Sequence, residues 1–135
     1  MATRITHLNP EGLPANPAFS QAVVVEGPVR TIYVGGQNAV TADGTVDGDD
    51  VGTQTTRALR NVELVLRAAG AELADIVSWT IYVVDREAIG PGFAAFQQVW
   101  SPDDAPPAIS VAIVAGLGNP AFLVEISAVA VVAGG

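Results

Sequence analysis

The residues able to do chemistry are few in this sequence, and the carboxylate of Glu125 has the most unusual surroundings. It lies in Ala121 to Val132, a run that reads as a β-strand. Counting by twos puts Phe122, Val124, Ile126, Ala128, Ala130 and Val132 on one wholly apolar face. Leu123, Glu125, Ser127, Val129 and Val131 form the other. A charge in such a strand costs free energy unless it is paired, hydrogen-bonded or protonated. Glu125 is therefore either a working acid–base group or a carboxylate tied to backbone N–H groups across an interface. The other chemical candidates are poorer. The chain has no cysteine, so neither a disulfide nor a thiol nucleophile exists. His7, the lone histidine, reads as a surface residue, and with no cysteine a zinc site is not expected. Ser110 and Ser127 have no evident histidine partner, which argues against a serine nucleophile. Gly35-Gly36-Gln37 is too short for a phosphate loop and lacks its lysine. Those glycines instead suggest a bulge or a close approach of the backbone.

Bulk properties narrow the function classes. The formal net charge is -8, and all six basic residues are arginine. A nucleic-acid groove needs clustered positive charge, and an anionic membrane surface has the same requirement. Neither partner is expected. The apolar runs stop short of the ~20 residues that span a bilayer, and MATRITHLNPEG has no secretory apolar core. With 135 residues, half of them hydrophobic, the chain reads as one soluble, cytoplasmic domain over 1–135.

The elements that must position Glu125 follow in order. Thr3 to His7 reads as a short edge strand, and the proline-rich stretch after it as an extended loop. Gln21 to Glu26 and Arg30 to Val34 read as antiparallel partners joined through Gly27 and Pro28. Asp49 or Asp50 caps a helix over Val51 to Ala69. Its apolar stripe is Ala58, Val62, Val65 and Ala69, widened by Leu59 and Leu66, and Gly70 stops it. Ala74 to Val84 is a strand. Ile89-Gly-Pro-Gly reads as a loop or a poor helix start, and Phe93 to Trp100 as a second helix that SPDDAPP ends. Ile109 to Ala115 is a strand that a Gly/Asn/Pro turn joins to the strand of Glu125.

This order predicts an α+β fold, a mixed β-sheet with two helices on one face. Two helices cover only one side of such a sheet. Several strands are apolar on both faces, so the bare side would expose a large hydrophobic patch. Burial against further copies of the chain removes it, and a homo-oligomer is expected.

Several segments together resemble the RidA (YjgF-type) family, once labelled endoribonuclease L-PSP. They are NPAFSQAVVV, YVGGQNAV, QTTRALRNVELVLRAAGAELADIV, TIYVVD, PPAISVAIVAGLG and FLVEISAVAV, nearly the whole chain in the family's order. The resemblance implies a chorismate-mutase-like fold, a homotrimer and small-molecule clefts between subunits. It also implies hydrolysis of enamines and imines such as 2-aminoacrylate, with no cofactor. Carried over by position, Glu125 matches the glutamate that positions the attacking water. The cleft tyrosine becomes Phe19, the cleft asparagine Phe93, and the glycines and glutamine Gly35, Gly36 and Gln37. The arginine of a PARS-like motif becomes Ile109 in PAIS, followed by Ser110.

Arginine grips a carboxylate through two charge-assisted hydrogen bonds, and isoleucine can make neither. With Ile109, Phe19 and Phe93 the cleft turns apolar. An anionic imino acid would meet Glu125 without a countercharge, so typical 2-aminoacrylate deaminase activity is not expected. A neutral or cationic ligand with an apolar body fits better. Two readings stay open: a hydrolase of enamine- or imine-type substrates using Glu125, and a non-enzymatic trimer that binds a small metabolite. Arg57 or Arg60 of a neighbouring subunit is one conceivable replacement for the missing charge.

Overall fold

The computed structural model describes residues 2–100 and 105–134. Six strands and two α-helices run in the order β1 (Arg4–Leu8), β2 (Ala22–Glu26), β3 (Val29–Gln37), α1 (Val51–Ala68), β4 (Ile76–Val83), α2 (Ile89–Val99), β5 (Ala108–Ile113) and β6 (Val124–Ala133). Four strands make a mixed sheet in the order β3-β6-β4-β5, and β1 and β2 form a separate antiparallel pair. The α+β class with both helices on one face is as expected.

Helix α1 begins where Asp50, in extended backbone, accepts from the Thr53 N–H at 2.8 Å. It ends at Gly70, whose φ of +76° suits glycine, with Ala71 N–H returning to the Leu66 carbonyl at 2.8 Å. The buried stripe is centred on Ala58, Leu59, Val62 and Leu66. Val65 and Ala69 fall at its margin, and Gln54, Thr55 and Asn61 are buried beside it. These face Val34 of β3, Trp79 and Val83 of β4, and Val124, Ile126, Ala128 and Ala130 of β6 in one core. Trp79, Phe96 and Trp100 meet edge to face, with centroids 5.0 to 6.1 Å apart, the arrangement that ring quadrupoles favour.

Two expectations are corrected and one alternative is decided. The strand of Glu125 does not pair with the one before it. Strand β4 lies between β5 and β6, parallel to the first and antiparallel to the second. A parallel neighbour needs a crossover, and α2 supplies it. The turn residues mark a connection over the end of β4, not a hairpin. Likewise β2 pairs with β1, and β3 pairs with β6. Gly27, at φ +92°, brings the chain within a Cβ's width of the Ala2 carbonyl and turns β2 away from β3. Of the two readings of Ile89-Gly-Pro-Gly, loop or helix start, the helix start holds, and it opens α2. Pro91 sits in the first turn, where a missing N–H leaves no bond unmade. Residues 101–104, which hold most of the SPDDAPP stop, lie outside the described residues.

Among the described residues no helix is long and apolar enough to cross a membrane. No group of three or more His, Cys, Asp or Glu gathers there.

Candidate functional site

Strand periodicity divides the expected cleft residues between two sides of the sheet. On β6, Val124, Ile126, Ala128 and Ala130 are buried beneath the helices. Glu125, Ser127 and Val129 point to the opposite, bare face. The register extends this face across the sheet. Glu125 stands opposite Tyr82, and Tyr82 opposite Ala112. One row further, Ser127, Thr80 and Ser110 form a line of hydroxyl side chains. Beyond them Tyr33 pairs with Val129 and is 79% exposed. The bare face is thus less greasy than the sequence pattern suggests, with aromatic and aliphatic groups alternating with small hydroxyls.

The pairing of β3 with β6 shifts register between Val34 and Gln37, which contains Gly35 and Gly36. Glu125 occupies the space this opens. A Cβ placed on Gly36 would lie 2.7 Å from both Cδ and Oε2 of Glu125. Gly36 leaves the carboxylate in this position, and a side chain there would displace it. Gly35 meets nothing and has no such role. Gln37 pairs opposite Ile126, on the helix side, and its amide donates to the Gly35 carbonyl at 3.1 Å.

Ile109 pairs opposite Trp79 and so faces the helices, not Glu125. With Phe93 it lines an apolar cavity of about 90 Å³ between α2 and the sheet. The same two residues line a wider one of about 350 Å³, together with Asn16, Trp79 and Trp100. Phe19 is half-buried in the turn that bridges back to Asn16, and it is not on either wall. The site residues therefore form two groups within one chain. Glu125, Gly36 and Ser110 share the bare face, whereas Ile109 and Phe93 share the helix side.

A buried polar framework, not foreseen from sequence, fixes the ends of β3 and β6 beside Glu125. Gln54, 1% exposed, donates to the carbonyls of Gly48 and Ala121 and accepts from the Leu123 N–H. Asn61 donates to the carbonyls of Asn38 and Val40 at 2.9 Å. Asn38 donates in turn to the Val124 carbonyl at 3.1 Å, one residue before Glu125. Polar residues on a helix read as solvated from sequence alone. The signal that would have found these is their position at the margin of the apolar stripe of α1.

His7 is also corrected. It is half-buried, with Nδ1 2.9 Å from the Pro106 carbonyl, which Ser20 Oγ also reaches. A carbonyl only accepts, so Nδ1 carries the proton in this contact. The pair ties β1 to the chain entering β5. Arg57 donates to the Val40 carbonyl of its own chain, and Arg60 pairs with Glu63.

A mixed sheet with two helices packed on one side and its other side bare makes this a two-layer α+β domain. The chain belongs to the endoribonuclease L-PSP family, whose model matches residues 11–132. The crystal structure of YyfB, a Rid-family protein of unknown function from Yersinia pestis, aligns with a TM-score of 0.84 and 35% identity, over 95% of this chain and 98% of that one. The mitochondrial protein mmf1 of Schizosaccharomyces pombe is 34% identical over 116 residues, which cover 84% of this chain and 66% of that protein. The 2-iminobutanoate/2-iminopropanoate deaminase of Rattus norvegicus is 35% identical over 74 residues, 54% of this chain and 52% of the enzyme. The chain thus spans less than two thirds of the length of these two relatives.

Proposed function

We propose that this chain hydrolyses small, neutral imines or enamines in clefts between subunits of a homotrimer, with Glu125 handling the water. The observation that carries the reading is the carboxylate of Glu125 on the bare sheet face, cradled by Gly36 and flanked by Tyr82. The deaminase name of the rat relative supplies the reaction class. Side chains on opposite faces of a sheet cannot touch one another. A cleft that joins Glu125 to Ile109 and Phe93 must therefore take them from two copies. Exposed Tyr33 on the bare face supports such association.

The chemistry is simple. Glu125 accepts a proton from water as the oxygen attacks the imine carbon. Glu125 returns that proton to the nitrogen, giving a carbinolamine. Glu125 then carries the hydroxyl proton to the nitrogen, the C–N bond breaks, and ammonia leaves as the carbonyl forms. An enamine first becomes an imine by gaining a proton at its β-carbon and losing one from its nitrogen. No cofactor takes part in this scheme. General acid–base assistance of this kind contributes about 10²–10⁴-fold.

The apolar walls at Ile109 and Phe93 favour a second reading, a trimer that binds a neutral metabolite without turning it over. The test is ammonia release from a neutral imine and from 2-aminoacrylate, with Glu125→Gln alongside and sedimentation to establish assembly. Turnover of the neutral imine that Glu125→Gln removes is the expected result. Turnover that survives the substitution, or a monomer at micromolar concentration, overturns the proposal. Binding without turnover selects the second reading.

A further inference from the structure

The cavity between α2 and the sheet contains a polar group that the fold leaves unused. Its walls are apolar throughout, from Ile81 and Val83 of β4 to Val124 and Ile126 of β6, with one exception, Thr55 of α1. Thr55 is 2% exposed, and its hydroxyl has no hydrogen-bond partner among the described residues. The neighbouring Thr56 hydroxyl, by contrast, returns to the Gly52 carbonyl at 3.1 Å. Gly92 of α2, another wall residue, keeps the space beside the Thr55 oxygen open: a Cβ there would stand 3.6 Å from it. A buried hydroxyl without a partner is destabilising, because its bond to water is lost and nothing replaces it. Valine has nearly the same shape and would avoid that cost. The outer wall residues Ile89, Phe93 and Val111 are 40 to 48% exposed and form the mouth.

We propose that Thr55 is the specificity-determining residue of a pocket for a small neutral carbonyl-class or imine-class molecule, to whose acceptor atom its hydroxyl donates. At about 90 Å³ the cavity is smaller than the ~150 Å³ that holds benzene. An apolar body of four or five heavy atoms fits it. A carboxylate does not belong there, because the walls offer it a single hydrogen bond and no cation. The pocket shares Phe93 and Ile109 with the proposed cleft, so its catalytic meaning rests on that reading. Its binding property is measured apart from turnover.

The probes are 2-butanone and its hydrocarbon isostere 2-methyl-1-butene, titrated against the full chain by NMR of the Ile81, Val124 and Ile126 methyl groups. Thr55→Val is expected to weaken 2-butanone about 3- to 10-fold, the range for one neutral hydrogen bond, and to leave the alkene equal or tighter. Thr55→Ser, which keeps the hydroxyl, is expected to retain the preference. Thr55→Val is also expected to raise the Tm of the ligand-free protein, since it removes an unpartnered group. Glu125→Gln should leave probe binding unchanged even where it abolishes turnover, which separates failure of the pocket from failure of the catalytic reading. Absence of binding by either probe, equal effects of Thr55→Val on both, or a fall in its Tm overturns the proposal.

Discussion

Replacing Gly36 by alanine tests whether Glu125 works from the place the fold gives it. The added Cβ would lie 2.7 Å from Cδ and Oε2 and 3.0 Å from Cγ, whereas ordinary contact begins near 3.4 Å. The carboxylate must therefore retreat by about 0.7 Å, into the repulsive wall otherwise. The atoms that move are the free end of a flexible side chain, so the fold is barely affected. An off-rotamer side chain costs about 0.5–1.5 kcal/mol, and the glycine-to-alanine change recovers about 0.4–1 kcal/mol through the unfolded chain. Net stability should stay within about 1 kcal/mol of the parent. Catalysis is less forgiving, since a ~1 Å misplacement costs on the order of 100-fold. The expected result is a 10- to 100-fold fall in kcat/KM for a neutral imine, with a displaced ¹³C signal from the Glu125 carboxyl. In a Glu125→Gln background the same change should add almost nothing, because the two residues act as one unit. Full activity in Gly36→Ala with an unmoved Glu125 signal would refute this reasoning, and so would an equal loss in both backgrounds.

Other perturbations probe the surroundings. Gln54→Ala strands the Leu123 N–H and two carbonyls in a buried place, and urea unfolding should show a loss of about 3 kcal/mol; a loss under about 1 kcal/mol would mean that the turn satisfies itself. Ile109→Arg places a guanidinium on the wall of the proposed cleft and should raise kcat/KM for 2-aminoacrylate relative to a neutral imine by at least about tenfold, the worth of a charge-assisted hydrogen bond. Unchanged selectivity would remove Ile109 from the explanation. Asp43 is held at a pKa of about 2, below its ordinary 3.8, first by the Thr41 hydroxyl and then by Thr45. A depressed carboxylate stabilises its turn above the unfolded value, and that contribution disappears as pH falls through the folded one. The protection factor of the Thr45 amide, taken against its intrinsic exchange rate, should therefore fall between about pH 4 and pH 2 in the parent and show no such step in Asp43→Asn.

The sequence made some features legible and concealed others for physical reasons. Asp50 and Gly70 bracket α1 because caps are local chemistry, readable from a few neighbours. Glu125 was legible because a charge violates the period of an apolar strand. Partner choice was not legible, because β2 and β5 carry no mark of which strand lies beside them. The Gly116–Pro120 breakers announce a bend but not its span, so the insertion of β4 between β5 and β6 was concealed. The Gly35-Gly36 pair announces a bulge or a close approach, yet only the register with β6 shows that the group approached is Glu125 itself. Gln54 and Asn61 were concealed because their bonds run to backbone groups far along the chain.

The separation of Glu125 from Ile109 and Phe93 by the thickness of one sheet has a genetic consequence. In the proposed assembly every reaction chamber is a joint venture, one wall from each of two neighbours. A chain crippled at Glu125 still offers a sound wall to its neighbour, as does a chain crippled at Phe93. Two such chains, each inert alone, would rescue one another when mixed before folding, and roughly one chamber in four would receive both sound walls.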